Sequence, residues 1–284
     1  MRVYPDCYVC ALRMALMTAR AAQAAEATEW EVLNRSLAML QSADGRRTTP
    51  EIAASAYHLA RECTGVDDPF AAVKQASTQQ ALELYPRLKA IVASASDPLD
   101  VAIRLAIAGN IIDPAIVQSY DLGETIERSL EQPFGVDHRE AFRRALAQAN
   151  QVLYLADNAG ETVFDRILIE TMDRPVLYAV RSAPILNDAT REDALAAGID
   201  QVAQIIESGS WVVGTLLPDC TEAFRRLFED SDMVIAKGQG NFETLSCPGS
   251  GIFFLLQVKC PLIGKHLGAP MGSLALRYEA PVFP

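Results

Sequence analysis

The spacing of apolar residues changes character near Gln151. Before it, apolar positions recur at the three-to-four-residue interval of amphipathic helices. After it, short runs that are apolar on both faces alternate with amphipathic segments. In the first half, "CALRMALMTARAAQAAEA" predicts an alanine-rich helix, and Thr28-Glu29-Trp30-Glu31 fits a capping box. Thr49-Pro50, Asp68-Pro69 and Asp97-Pro98 each set a capping residue before a proline suited to the first helical turn. Pro86 should kink or divide the helix through "QQALELYPRLKAIV". "DPLDVAIRLAIAGNIID" is apolar on most sides, which predicts a buried helix capped at Gly109-Asn110. "HREAFRRALAQAN" closes the half.

In the second half, "QVLYLA", "PVLYAV", "QVAQII", "DMVIAK" and "FFLLQVK" read as strands, with helices such as "ETVFDRILIETM", "TREDALAAG" and "TEAFRRLFED" between them. Strands buried on both faces and alternating with helices predict an α/β fold, a mainly parallel, Rossmann-like, three-layer sheet. An N-terminal α-helical lobe at about 1–148 precedes the α/β lobe at about 149–284, with no Gly/Ser/Pro-rich linker and no internal repeat between them. Right-handed crossovers place all strand C-terminal ends on one edge, where such sheets hold their ligands.

Polar residues collect at that edge. The first strand runs into Asp157-Asn158-Ala159-Gly160, the second is followed by Asn187-Asp188, a later one ends at Lys237-Gly238, and the last ends at Lys259. Asp157, Asn158 and Asp188 are hard oxygen donors, which favour Mg²⁺ or Mn²⁺ over zinc. The lysines would neutralise phosphoryl oxygens, and Gly160 is expected to open a helix whose free N–H groups favour an anion. Taken singly, Asp-Asn before Ala-Gly is also ordinary turn chemistry, and Asn187-Asp188-Ala189-Thr190 ordinary helix capping. Their coincidence at one edge is what favours a site.

Composition narrows the field. A chain of 284 residues, 50% apolar, can bury a sizeable core, and a net charge of −11 without a basic cluster argues against nucleic acid. No stretch approaches the roughly 18 uncharged apolar residues of a membrane span, and the N-terminus lacks the pattern of a secretory signal. Six dispersed cysteines do not suggest a disulfide scaffold, so a cytoplasmic enzyme is the expectation. Cys7-x-x-Cys10 has no second pair, which makes packing its first reading and a metal or redox role its second. The three histidines show no ligand spacing. "GQGN" at 238–241 is a weak echo of a dinucleotide fingerprint, without the third glycine.

Taken together, "DNAGE" at 157–161, "ILNDAT" at 185–190, "KGQGNFETL" at 237–245 and "LLQVKCP" at 255–261 stand in the order of the damage-control phosphatases, once catalogued as domain of unknown function 89. "AIAGNIID" at 106–113 and the opening "PDCYVC" resemble the short microbial branch, so the resemblance covers nearly the whole chain. It implies a metal-dependent phosphatase of small phosphorylated metabolites, sugar phosphates or damaged phosphometabolites, using Mn²⁺, Mg²⁺, Co²⁺ or Ni²⁺. By this resemblance Asp157, Asn158 and Asp188 hold the metal, Asn241 and Lys259 hold the phosphate, Lys237 and Gly240 line the same pocket, and Asn110 reaches in from the helical lobe. Asp157, Asn158 and Lys259 are then the catalytic set, with Asp157 either binding the ion or attacking phosphorus. Longer eukaryotic members carry "RTxK" where this chain has "LQVK". Two rivals stay open: a non-catalytic phosphometabolite-binding protein and a Rossmann-type methyltransferase. The second wants its acid on the second strand, not beside the glycine of the first. Oligomeric state is open.

Overall fold

The computed structural model describes residues 1, 3–43, 47–109 and 122–280. Asn110 lies outside them. Three helices come first: α1 (Pro5–Ala21), α2 (Glu26–Gln41) and α3 (Thr49–Thr64). They pack on one another through small residues, with Ala11, Ala15, Ala19, Ala56 and Ala60 around Val32 and Ile52. The capping box expected at Thr28 is not there. The N-cap is Ala25, three residues earlier, and Glu26 and Glu29 in the first turn of α2 complement the helix dipole instead. The box forms at Thr48–Glu51, where Glu51 Oε2 accepts from the Thr48 backbone N–H and hydroxyl, both at 2.7 Å. The cap therefore falls one residue before the expected Thr49, and Pro50 sits in the first turn.

α4 (Ala71–Ser94) runs unbroken through Pro86, so the expected division does not occur. Asp68 accepts from the Phe70 N–H at 3.1 Å and ends the preceding turn rather than capping α4 directly. At α5 (Pro98–Gly109) the expectation holds: Asp97 accepts from the Asp100 N–H, and Ala102 to Gly109 are all buried. α6 (Leu122–Glu131) precedes β1 (Phe134–Asp137) and α7 (Arg139–Gln148).

The remaining elements alternate. They are β2 (Val152–Leu155), α8 (Thr162–Met172), β3 (Val176–Val180), α9 (Arg191–Ala196) and β4 (Gln204–Glu207). Then come α10 (Glu222–Glu229), β5 (Met233–Lys237), α11 (Gly238–Leu245), β6 (Ile252–Gln257), α12 (Pro261–Leu267) and β7 (Leu274–Tyr278). The seven strands form one sheet in the order β1-β7-β6-β5-β2-β3-β4. Every pairing is parallel except β6 with β7. Alternate residues face opposite layers. Val152, Tyr154, Val176, Tyr178 and Ile235 pack toward α4, α5 and α8, while Leu153, Leu155, Leu177, Val234 and Ala236 pack toward α10, α11 and α12. This is the predicted three-layer α/β architecture, and it adds two strands that the apolar pattern does not disclose, β1 and β7. Among the described residues, no helix is long and apolar enough to cross a membrane.

One detail of this topology positions the site. β2 has β3 on one side and β5 on the other. The chain leaves β2 toward β3 and leaves β5 toward β6, so these two connections diverge, and a crevice opens at the C-terminal tips between them.

Candidate metal and phosphate site

Asp157 follows β2 by two residues, at that crevice. Its carboxylate takes up the room beside Gly238, the first residue of α11: a Cβ built on Gly238 would lie 1.8 Å from Asp157 Oδ2. Gly238 also has φ +77°, a conformation in which a side chain is strained. Both observations demand glycine. Gly238→Ala is expected to expel the Asp157 carboxylate and lower the melting temperature by several degrees. An unchanged thermal melt would refute this close approach.

Asp188 reaches the same place through backbone stitching. The Ala159 N–H donates to Asn187 O at 2.9 Å and the Ala189 N–H to Asp157 O at 2.8 Å, so Asn158 and Asp188 face each other in a short antiparallel bridge. The turn before Asp188 puts Leu186 at φ +48°, unusual for a leucine. Packing offsets that strain, since Leu186 and Ile185 lie against Tyr57 and Phe70 from the helical segment and Val212 from the loop after β4.

The surroundings of these residues are charged and buried. Asn158 Nδ2 donates to Asp157 Oδ2 at 3.0 Å and to Glu161 Oε2 at 3.1 Å, and the Asn158 N–H also donates to Glu161 Oε2. Lys237 Nζ donates to Glu161 Oε1 at 2.8 Å and to Asp165 Oδ1 at 2.5 Å. The hydroxyls of Tyr154 and Tyr178 each donate to Asp165 at 2.7 Å. On the other side, Arg181 Nε donates to Asp188 Oδ2 at 2.8 Å. Burial, then the nearby Glu161 and Asp188 carboxylates, push the Asp157 carboxyl well above its ordinary range, while Lys259 and Arg181 oppose them. Burial also raises Asp188, with Arg181 pulling the other way. For Lys237 burial disfavours the ammonium, but Asp165 and Glu161 outweigh it and raise its pKa.

The expected residues divide on this geometry. Asp157, Asn158 and Asp188 come together. Lys259 lies two residues beyond β6, half-buried and close enough to act on the Asp157 carboxyl. Among the described residues it makes no ion pair. Lys237, expected to line the pocket, has its ammonium fully buried between two carboxylates. Asn241 is also turned inward. Its amide donates to Ala156 O at 3.1 Å and Lys237 O at 2.7 Å and accepts from the Thr215 hydroxyl at 2.8 Å, tying together the segments that follow β2, β4 and β5. Gly240 is half-buried, and a Cβ there would come within 3.0 Å of Val213 and 3.1 Å of the Gly214 backbone. Gly160 does not start α8, which begins at Thr162. It is a glycine because a Cβ there would meet the Ser77 side chain of α4 at 2.6 Å. Cys7 and Cys10 lie on α1 as free thiols, with Cys7 Sγ accepting from the Thr49 hydroxyl.

Glu161, Asp165, Arg181 and the two tyrosines lie outside the sequence expectation. A signal exists for the first two: "ETVFD" puts acids four residues apart at the start of a helix whose neighbouring positions are apolar, so both must be buried or the helix cannot pack.

The donor chemistry fits a hard divalent cation. Among the described residues no three His, Cys, Asp or Glu side chains gather as a ligand set; here the third donor is an amide. Glu161 engages the Asn158 Nδ2, which leaves the carbonyl oxygen as the atom that would face a cation. Four buried carboxylates, Asp157, Glu161, Asp165 and Asp188, stand against two fully engaged cations, Lys237 and Arg181. A dication at Asp157 relieves that imbalance.

Residues 3–275 match the damage-control phosphatase ARMT1-like domain. The chain belongs to the damage-control phosphatase family. A damage-control phosphatase of Pyrococcus horikoshii is 38% identical over 216 residues, covering 74% of each chain. One from Archaeoglobus fulgidus is 28% identical across 98% of this chain and 99% of its own length. The crystal structure of a domain-of-unknown-function-89 protein from Pyrococcus horikoshii superposes with a TM-score of 0.90 at 30% identity, covering 98% of this chain and 99% of that one. Membership makes the chain a phosphatase, a hydrolase of phosphoric monoesters, and removes the methyltransferase alternative.

Proposed function

We propose that this phosphatase hydrolyses phosphomonoesters of small metabolites, sugar phosphates or damaged phosphometabolites, with a divalent cation held by Asp157, Asn158 and Asp188. The observation that carries this is their convergence, over an excess of buried carboxylate, at the tip of the central strand, with half-buried Lys259 beside Asp157. The cation, Mn²⁺, Mg²⁺, Co²⁺ or Ni²⁺, supplies Lewis acidity toward the phosphoryl group.

The chain's own residues do the rest. Lys259 makes no ion pair among the described residues, so it is placed to neutralise charge on the phosphoryl oxygens. Arg181 fixes one oxygen of Asp188, and Glu161 fixes the Asn158 amide. Lys237 holds Glu161 from below, and Asp165 with its two tyrosines holds Lys237. Asn158 and Asp188 are thus each braced by a residue that is itself held, which keeps the set rigid without substrate. The six free thiols fit a reducing compartment, so a cytoplasmic location is part of the proposal.

The test is phosphate release from a generic phosphate ester with Mn²⁺, Co²⁺, Ni²⁺ or Mg²⁺. Turnover is expected with at least one ion, to fall to background in chelator, and to return when the ion is restored. No release with any of them would leave only a binding protein.

A further inference from the structure

Ala156, Arg181, Thr215 and Asn241 follow β2, β3, β4 and β5 in turn, and all four are buried. Together they close a hydrogen-bonded ring. The Thr215 hydroxyl donates to Asn241 Oδ1 at 2.8 Å, and Asn241 Nδ2 donates to Ala156 O at 3.1 Å. Arg181 Nη2 donates to the same carbonyl and Nη1 to the Thr215 hydroxyl, both at 3.4 Å.

The ring reaches both carboxylates of the crevice. Ala156 O belongs to the peptide group that leads into Asp157, and Arg181 Nε holds Asp188 Oδ2 at 2.8 Å. Each of the three guanidinium nitrogens thus has its own acceptor: Asp188, Thr215 and Ala156. A planar group is fixed by three points and pivots on two. Without the Thr215 hydroxyl, Arg181 loses one of its three points and Asn241 Oδ1 loses its donor. The two arms of the ring then move independently.

The loop that carries Thr215 does not depend on that hydroxyl. The Thr215 N–H donates to Thr244 Oγ1 at 3.3 Å. Gly214, at φ +77°, presses on α11, where a Cβ would meet Gly240 O at 2.3 Å. Removing the hydroxyl leaves the loop seated and opens the ring.

Divalent ions differ in the play they tolerate. Mg²⁺ demands near-ideal octahedral geometry at about 2.0–2.1 Å, whereas Ca²⁺ accepts flexible arrangements at about 2.3–2.6 Å. We propose, on the metal reading above, that Thr215 is a positioning residue: it sets the spacing of the Asp157 and Asp188 carboxylates and so favours the smaller divalent ions over Ca²⁺.

Thermal melts of the full chain, titrated with Mn²⁺, Mg²⁺ or Ca²⁺ without substrate, read ion binding apart from turnover. In Thr215→Val, nearly equal in shape, half of the stabilisation by Mn²⁺ or Mg²⁺ should require about ten times more ion, the lower end for a lost outer-shell partner. The Ca²⁺ requirement should rise less. Thr215→Ser keeps the hydroxyl and should respond to all three ions like the wild type. A merely structural role would lower the ion-free melt without this split between ions. If the valine variant does not fold, Thr215→Ala is read in the same way. The proposal is overturned if the hydroxyl-free variant keeps wild-type ion requirements, if Ca²⁺ weakens as much as the smaller ions, or if Thr215→Ser falls with it. Asp157→Asn separates the two readings. A wild type that no ion stabilises, or stabilisation that survives Asp157→Asn, removes the metal site and this role together. Stabilisation lost in Asp157→Asn but unchanged in Thr215→Val removes the role of Thr215 alone.

Discussion

Asp157→Asn is expected to lower metal-dependent turnover by about three orders of magnitude, close to 4 kcal/mol of transition-state stabilisation, and to make the ion-free protein more stable. Both effects come from one carboxylate. At the tip of β2 it is buried beside Glu161 and Asp188, and burial and those two charges disfavour its ionised form. A cation held there, as proposed, would offset that cost. Without one, the charge is a liability that Asn removes, while the amide oxygen still accepts from Asn158 Nδ2 where Asp157 Oδ2 now does. The variant's volume is nearly unchanged, so the contact with Gly238 is preserved. Relief of about 1 kcal/mol would raise Tm by roughly 2–4 °C in a chain of this size. Steady-state phosphate release measures the first effect and a thermal melt in chelator the second. Wild-type turnover in the variant would sink the assignment of Asp157, and a lower melt in chelator would refute the repulsion.

How much of this is legible in the sequence depends on distance along the chain. β2, β3, β5 and β6 announce themselves because strands buried on both faces must be apolar throughout, and "VLYL", "VLYAV", "MVIAK" and "IFFLLQ" are nearly so. β1 does not, because an edge strand buries only alternate residues, and "FGVD" is four residues with a glycine and an acid. The edge placement of Asp157, Asn158 and Asp188 follows from topology alone. The support beneath them does not. Lys237 finds Glu161 across 76 residues of chain, a pairing that no local pattern encodes. A lysine ending an apolar strand reads the same whether it meets solvent, phosphate or buried acids. Asn241 escapes the sequence for the same reason: its partners are backbone carbonyls of Ala156 and Lys237, which a sequence does not display.

Lys237→Met should disturb stability more than any substitution at the ligands themselves. The ammonium is fully buried and touches Glu161 and Asp165, which are themselves fully buried. Methionine matches the aliphatic stem and removes only the charge and its donors. Two carboxylates are then left in the interior without their cation, and breaking a buried pair in this way costs about 3–5 kcal/mol. At roughly 2–4 °C per kcal/mol, the melting temperature should fall by about 10 °C, and the bracing of Asn158 through Glu161 should fail with it. Because such a variant risks not folding, the decisive measurement is the combination Lys237→Met with Glu161→Gln and Asp165→Asn. Removing all three charges leaves no unpaired ion, so most of the lost stability should return. Catalysis should not return: the neutral amide introduced by Glu161→Gln places no charge behind the Asn158 side chain, so metal affinity should stay lowered, by the roughly ten- to hundredfold typical of a lost outer-shell partner. A single Lys237→Met that melts like wild type would show that the triad is not the keystone of the site. A triple variant with full metal affinity would show that Glu161 and Lys237 stabilise the fold without orienting the ligand.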